Sequence, residues 1–106
     1  MAQFDVLQNL GRQKDAIPFV VVVQSSQFDD FRRRVVVPLV RASALSKTEL
    51  PRFNPSFKIR GVAVVLHPLE IASVTVSDLG SKVVSLSADG ERIVAALDEL
   101  FCRAWK

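Results

Sequence analysis

Chemistry in this chain has few side chains to draw on: one histidine, His67, one cysteine, Cys102, the adjacent acidic pairs Asp29-Asp30 and Asp98-Glu99, and the run Arg32-Arg33-Arg34. A metal ion wants several His, Cys or carboxylate ligands at coordinating spacing, and His67 and Cys102 stand singly and far apart in sequence. His67, in Leu66-His67-Pro68-Leu69, reads as a structural or surface residue. A cysteine nucleophile needs a base to generate its thiolate, and His67 is the one imidazole that could serve. The favoured reading of Cys102 is instead a small residue buried in a helix. Neighbouring helical positions point apart, so Asp98 and Glu99 read as a solvated face rather than an acid/base dyad. The four glycines, Gly11, Gly61, Gly80 and Gly90, are scattered singly and make no phosphate-cradling loop. The expectation is a protein that is not an enzyme, with no catalytic residue, no metal and no cofactor.

The arginine run is the densest charge feature. Guanidinium groups fork onto phosphates or carboxylates, so Arg32, Arg33 and Arg34 are candidate contacts for an anionic partner, whether RNA, DNA or an acidic peptide. The competing reading is a loop-to-strand junction whose arginines are solvated or paired with Asp29 and Asp30. The formal charge of +3, from 14 basic against 11 acidic residues, is a mild bias rather than the basic stripe of a dedicated nucleic-acid binder.

The elements that must position these residues are mostly strands. At 106 residues, 49% hydrophobic and 24% charged, the chain reads as one globular domain over residues 1–106. Gln3 to Leu7 starts like a strand, and the polar Gln8 to Ala16 follows as a loop. Ile17 to Gln24 is a β-branched run too continuous for a strand with one wet face, so it should be buried on both sides or partly covered by a partner. Ser25 to Arg33 is a polar loop carrying Phe28 and Phe31. Arg34 to Val40 resumes the strand pattern, with Pro38 arguing for an edge position or a bulge. A longer connection over Arg41 to Pro55, with a helical turn within Ala42 to Leu50, leads to a hairpin of Ser56 to Arg60 and Val62 to Leu66 around Arg60-Gly61. Ile71 to Val76 and Lys82 to Leu86 add two further strands.

Near Leu86 the period changes. Ile93, Leu97, Leu100, Phe101 and Ala104 fall on one face of an amphipathic helix that should start between Ser87 and Gly90 and run to the chain end. Ser87 or Asp89 would cap it. The start of the chain lacks a basic region followed by an apolar run, and no segment approaches the roughly 20 apolar residues of a membrane span. A lone cysteine suits a reducing compartment, so a cytoplasmic protein without a membrane span is expected. A Val-rich core with Phe101 and Trp105 in the tail leaves apolar surface that a homodimer would cover.

Phe19-Val20-Val21-Val22-Val23-Gln24-Ser25, a short polar loop, then Arg33-Arg34-Val35-Val36-Val37-Pro38-Leu39 resembles the strand-loop-strand of the CcdB family, the toxins of plasmid-type toxin–antitoxin pairs. Gln3-Phe4, Ile71-Ala72-Ser73-Val74-Thr75-Val76, Leu86-Ser87 and Ala96-Leu97 through Leu100-Phe101 follow in the same order at nearly the same spacing. The resemblance covers most of the chain apart from Leu7 to Ala16 and Lys47 to Phe53. It implies a mainly β fold with a C-terminal α-helix, an SH3-like, partly open antiparallel barrel of the kind shared by CcdB and MazF, and a twofold dimer. It also implies two partners: an antitoxin with a flexible acidic segment, and the A subunit of DNA gyrase, which such toxins poison by binding. RNA cleavage of the MazF type, or a non-toxic adaptor role, are the alternatives on this fold.

The family's gyrase contact lies at the chain end, and there this sequence departs from the pattern. Cys102 stands where the family has Trp, and Trp105 follows three residues later, displaced by ~4.5 Å along a helix. The family's apolar loop pair reads Gln27-Phe28, its Pro-Gly turn reads Phe31-Arg32, and its helical Asn reads Asp98. The target-binding surface implied is therefore Gln27, Phe28, Asp98, Phe101, Cys102, Arg103, Ala104 and Trp105. Trp105 is the expected anchor of that surface, because large aromatic side chains dominate interface energetics, and the competing reading is that it folds back over the barrel or across the dimer axis.

Overall fold

Branched side chains lose little on entering a pleated strand and pack well across its faces, so the valine-rich runs define the sheet. The computed structural model describes residues 1–11, 13–45 and 50–102. Seven strands precede one helix: β1 (Asp5–Asn9), β2 (Phe19–Val22), β3 (Arg33–Arg41), β4 (Ser56–Ile59), β5 (Val62–Leu66), β6 (Ala72–Thr75), β7 (Leu79–Ser85) and α1 (Gly90–Cys102). They form a single sheet in the order β4-β5-β3-β2-β1-β7, with β6 pairing beside β5 on the long strand β3. Every described pairing is antiparallel, and the sheet curls into a half-barrel. The expected barrel with a C-terminal helix is thus the observed architecture.

The register explains the continuous apolar run. Val21 is fully buried in the main core with Val6, Val37, Leu39, Ile59, Val64, Leu66 and Ile93. Its neighbours Val20 and Val22 face the other way, into a second cluster with Leu7 and Val36, against which Val74 and Leu79 pack. Both faces of β2 are therefore covered, as the sequence pattern requires, and each buried valine contributes about 1.5–3 kcal/mol.

Pro38 is a correction. It lies in the interior of β3, opposite Val20, in a strand with neighbours on both sides. β6 pairs with residues 33–36 of β3 and β5 with residues 39–41 on the same edge, leaving Pro38 at the junction. The Pro38 carbonyl accepts from the His67 backbone N–H at 3.0 Å, so the absent proline N–H also faces that junction, where no ladder bond is needed. The ban on central proline is thus met by a gap between strands rather than by an edge.

A 3₁₀ turn over Ser87–Asp89 leads into α1, within the expected start of the helix. Residues 103–106, including the expected helical Ala104, lie outside the described residues. The helix buries Ile93 and Ala96 in the main core, with Leu97 packed against it. Phe101, on the apolar helix face by spacing and on the target-binding surface by the resemblance, is 63% exposed. Cys102 is exposed too, against the expectation of a buried thiol. The core-facing stripe is the tight set 93, 96, 97; Leu100 is half-buried, and Phe101 and Cys102 after it are exposed. Arg92 fastens its first turn, with the guanidinium 4.5 Å from the Phe57 ring centre and a 2.9 Å hydrogen bond to the Ser56 carbonyl. Arg52 ion-pairs with Glu99 at 3.1 Å and ties the approach to β4 to the second half of α1. No helix among the described residues is long and apolar enough to cross a membrane.

Candidate functional site

Three exposed aromatic side chains converge where the loop between β2 and β3 meets the end of α1. Phe28 (46% exposed) and Phe31 (67%) come from the loop, with ring centres 6.4 Å apart and planes tilted by 52°, and Phe101 comes from the helix. Together with Val23, Val35, Ile71 and Leu97 they line an open groove of about 570 Å³. Its surface is almost wholly apolar, and Gln24, Ser25 and Arg33 supply the polar atoms of its lining. An apolar surface of this kind on a small water-exposed domain makes the groove the candidate docking site.

The loop is built rather than slack. The Ser25 hydroxyl accepts from the Gln27 N–H at 3.4 Å and caps a 3₁₀ turn over Ser26–Phe28. The Phe28, Asp29 and Phe31 N–H groups each donate to a carbonyl three residues back, at 3.1 Å. Gln24, at the end of β2, accepts from the Val35 N–H and donates to the carbonyls of Phe28 and Arg33.

The three arginines have three different fates. Arg32 is exposed. Arg33 stands at the groove rim, where it donates through Nε to the Ser73 hydroxyl at 2.8 Å and through Nη2 to the Ser73 carbonyl at 2.6 Å. Arg34 is not the anionic-partner contact that the sequence suggested. It is 6% exposed, turned inward, and engaged with Asp29 and with the loop carbonyls. Successive strand residues point to opposite faces, so Arg33 and Arg34 at the start of β3 part company there.

Of the residues expected to bind a target, the fold brings Phe28 and Phe101 together in the groove. Gln27 is exposed but does not line it. Asp98 lines a separate groove of about 520 Å³ with Phe4, Arg52, Gly90 and Val94. Cys102 lies one turn on, where the Asp98 carboxylate accepts a hydrogen bond from the thiol and pushes its pKa above the ordinary value. Arg103, Ala104 and Trp105 lie outside the described residues. Sequence reasoning left out Phe31, although its spacing of three from Phe28 in an otherwise polar loop was the available signal. Gln24, Ile71 and Leu97 enter the groove through contacts between distant segments, which no local pattern announces. His67 sits 3.8 Å from the Glu70 carboxylate, and among the described residues no three of His, Cys, Asp and Glu gather as a metal would require.

Among curated proteins no relative matches this sequence. The family model described as the CcdB protein does match, over residues 3–102. That span takes in all seven strands, the aromatic loop and the whole described helix, so the chain belongs to the CcdB family, the toxins of type II toxin–antitoxin systems.

Proposed function

We propose that this toxin acts as a homodimer in the cytoplasm, that it poisons DNA gyrase by gripping the A subunit without chemistry of its own, and that an antitoxin with a flexible acidic segment neutralises it. The observation that carries the reading is the convergence of Phe28, Phe31 and Phe101 on one apolar groove beside the C-terminal end of the helix. Apolar and aromatic surface supplies binding energy, and the exposed Arg32 suits an acidic partner. Members of this family poison gyrase rather than act as enzymes themselves. RNA cleavage is the weaker reading: among the described residues the groove lining offers no imidazole or carboxylate to serve as a general base, and Arg33 is committed to Ser73.

Purified protein should sediment as a dimer at micromolar concentration, bind the gyrase A subunit, and cause gyrase to accumulate on cleaved DNA. Induced expression should stop bacterial growth. Phe28→Ala and Phe101→Ala should each weaken gyrase binding about tenfold or more with a smaller effect on Tm, since Phe101 is largely exposed, Phe28 nearly half so, and neither belongs to the core. Cutting of mixed RNA that Arg33→Ala abolishes would move the assignment to a ribonuclease. Normal growth together with no gyrase binding would leave a non-toxic adaptor.

A further inference from the structure

The loop of residues 25–32 presents two partly exposed phenyl rings, already a tilted pair with centres 6.4 Å apart, and a loop free to move would fold that pair down onto the barrel. Two side chains at its two roots prevent that. From β3, the buried Arg34 guanidinium donates through Nη1 to the carbonyls of Phe31 and Arg33 and through Nη2 to the carbonyl of Asp29, the last at 2.8 Å. Its Nε faces the Asp29 carboxylate at 3.5 Å. Just beyond β2, the Gln24 amide donates to the carbonyls of Phe28 and Arg33. The backbone carbonyls of both exposed aromatic residues are thus held by side chains. Only a planar fork reaches several carbonyls and a carboxylate at once, which a lysine ammonium on a single stem cannot do.

We infer that Arg34, countered by Asp29 and assisted by Gln24, is a positioning residue that holds Phe28 and Phe31 as a preformed wall of the groove before any partner arrives. The use of that wall rests on the function proposed above, whereas the holding of the loop does not. A buried ion pair is costly to desolvate and adds little net stability over an apolar replacement, so its value here lies in conformational specificity. A preformed wall removes the ordering cost that a partner would otherwise meet on binding.

Hydrogen exchange on the full chain tests the holding, and binding tests its use. In Arg34→Lys, and in the gentler Asp29→Asn, exchange at the Phe28, Asp29 and Phe31 amides should quicken at least tenfold while that of Val21, Val37 and Val64 in the barrel is unchanged. Affinity for purified gyrase A subunit should fall at least tenfold in Arg34→Lys, and the same substitution should cost nothing further when Phe28 and Phe31 are already alanine. Unchanged loop exchange, equal acceleration in the barrel, or a full loss that persists in the double-alanine background would each overturn the inference. If the wild-type chain does not bind gyrase, the gyrase reading falls, and loop exchange still decides the role of Arg34.

Discussion

At the scale of single residues, placement rather than type separates structural from functional groups. Arg33 and Arg34 are identical in chemistry and adjacent in sequence, yet one reaches across to Ser73 at the groove rim and the other is sealed beneath the loop. Cys102 shows the same dependence. In a helix, residues four apart share a face, so Asp98 lies beside the thiol, and a carboxylate next to it disfavours the thiolate. A raised pKa means less thiolate at any given pH, so the cysteine is a slow nucleophile despite its exposure. Asp98→Asn should therefore lower that pKa and speed iodoacetamide alkylation at pH 8 severalfold. An unchanged or slower rate would show that Asp98 does not govern this thiol.

Elements are governed by what their ends and turns permit. The β4–β5 hairpin was legible because Arg60-Gly61 stands between two apolar runs, and both residues adopt left-handed backbone angles, φ 48° and 81°. Nothing lies within 4 Å of where a Cβ on Gly61 would sit, so any penalty for a side chain there is one of backbone strain and not of space. Gly61→Val should cost about 1–2 kcal/mol and lower Tm by roughly 5–10 °C, while Gly61→Asn should cost markedly less, because Asn tolerates this region. Thermal unfolding of the two variants side by side checks the argument. Pro38 shows the limit of element-level reading. The rule that proline avoids central strands is sound, but the break between β5 and β6 that satisfies it is created by strands that begin 24 and 34 residues further along the chain, at Val62 and Ala72.

For the molecule as a whole, the helix and the half-barrel share one core, joined through Ile93 and Ala96. Ile93 is fully buried, so Ile93→Ala should lower the unfolding free energy by roughly 2–5 kcal/mol in urea titrations, through lost transfer energy and the cavity left behind. A loss below ~1 kcal/mol would mean that α1 is only loosely docked. The sequence by itself determined the strand and helix types, the double-sided burial of Val20 to Val22, the hairpin, and the family, because periodicity, β-branching and collinear motifs are local or additive signals. It also pointed to Phe28 and Phe101 as surface groups. The tertiary structure alone decided that these two meet in one groove with Phe31, Ile71 and Leu97, that Asp98 looks into another, and that Arg34 supports the loop from within. The physical reason is that a groove is made by segments some seventy residues apart, brought together only when the sheet curls and the helix docks, whereas a residue's own pattern records just which side of its element is apolar.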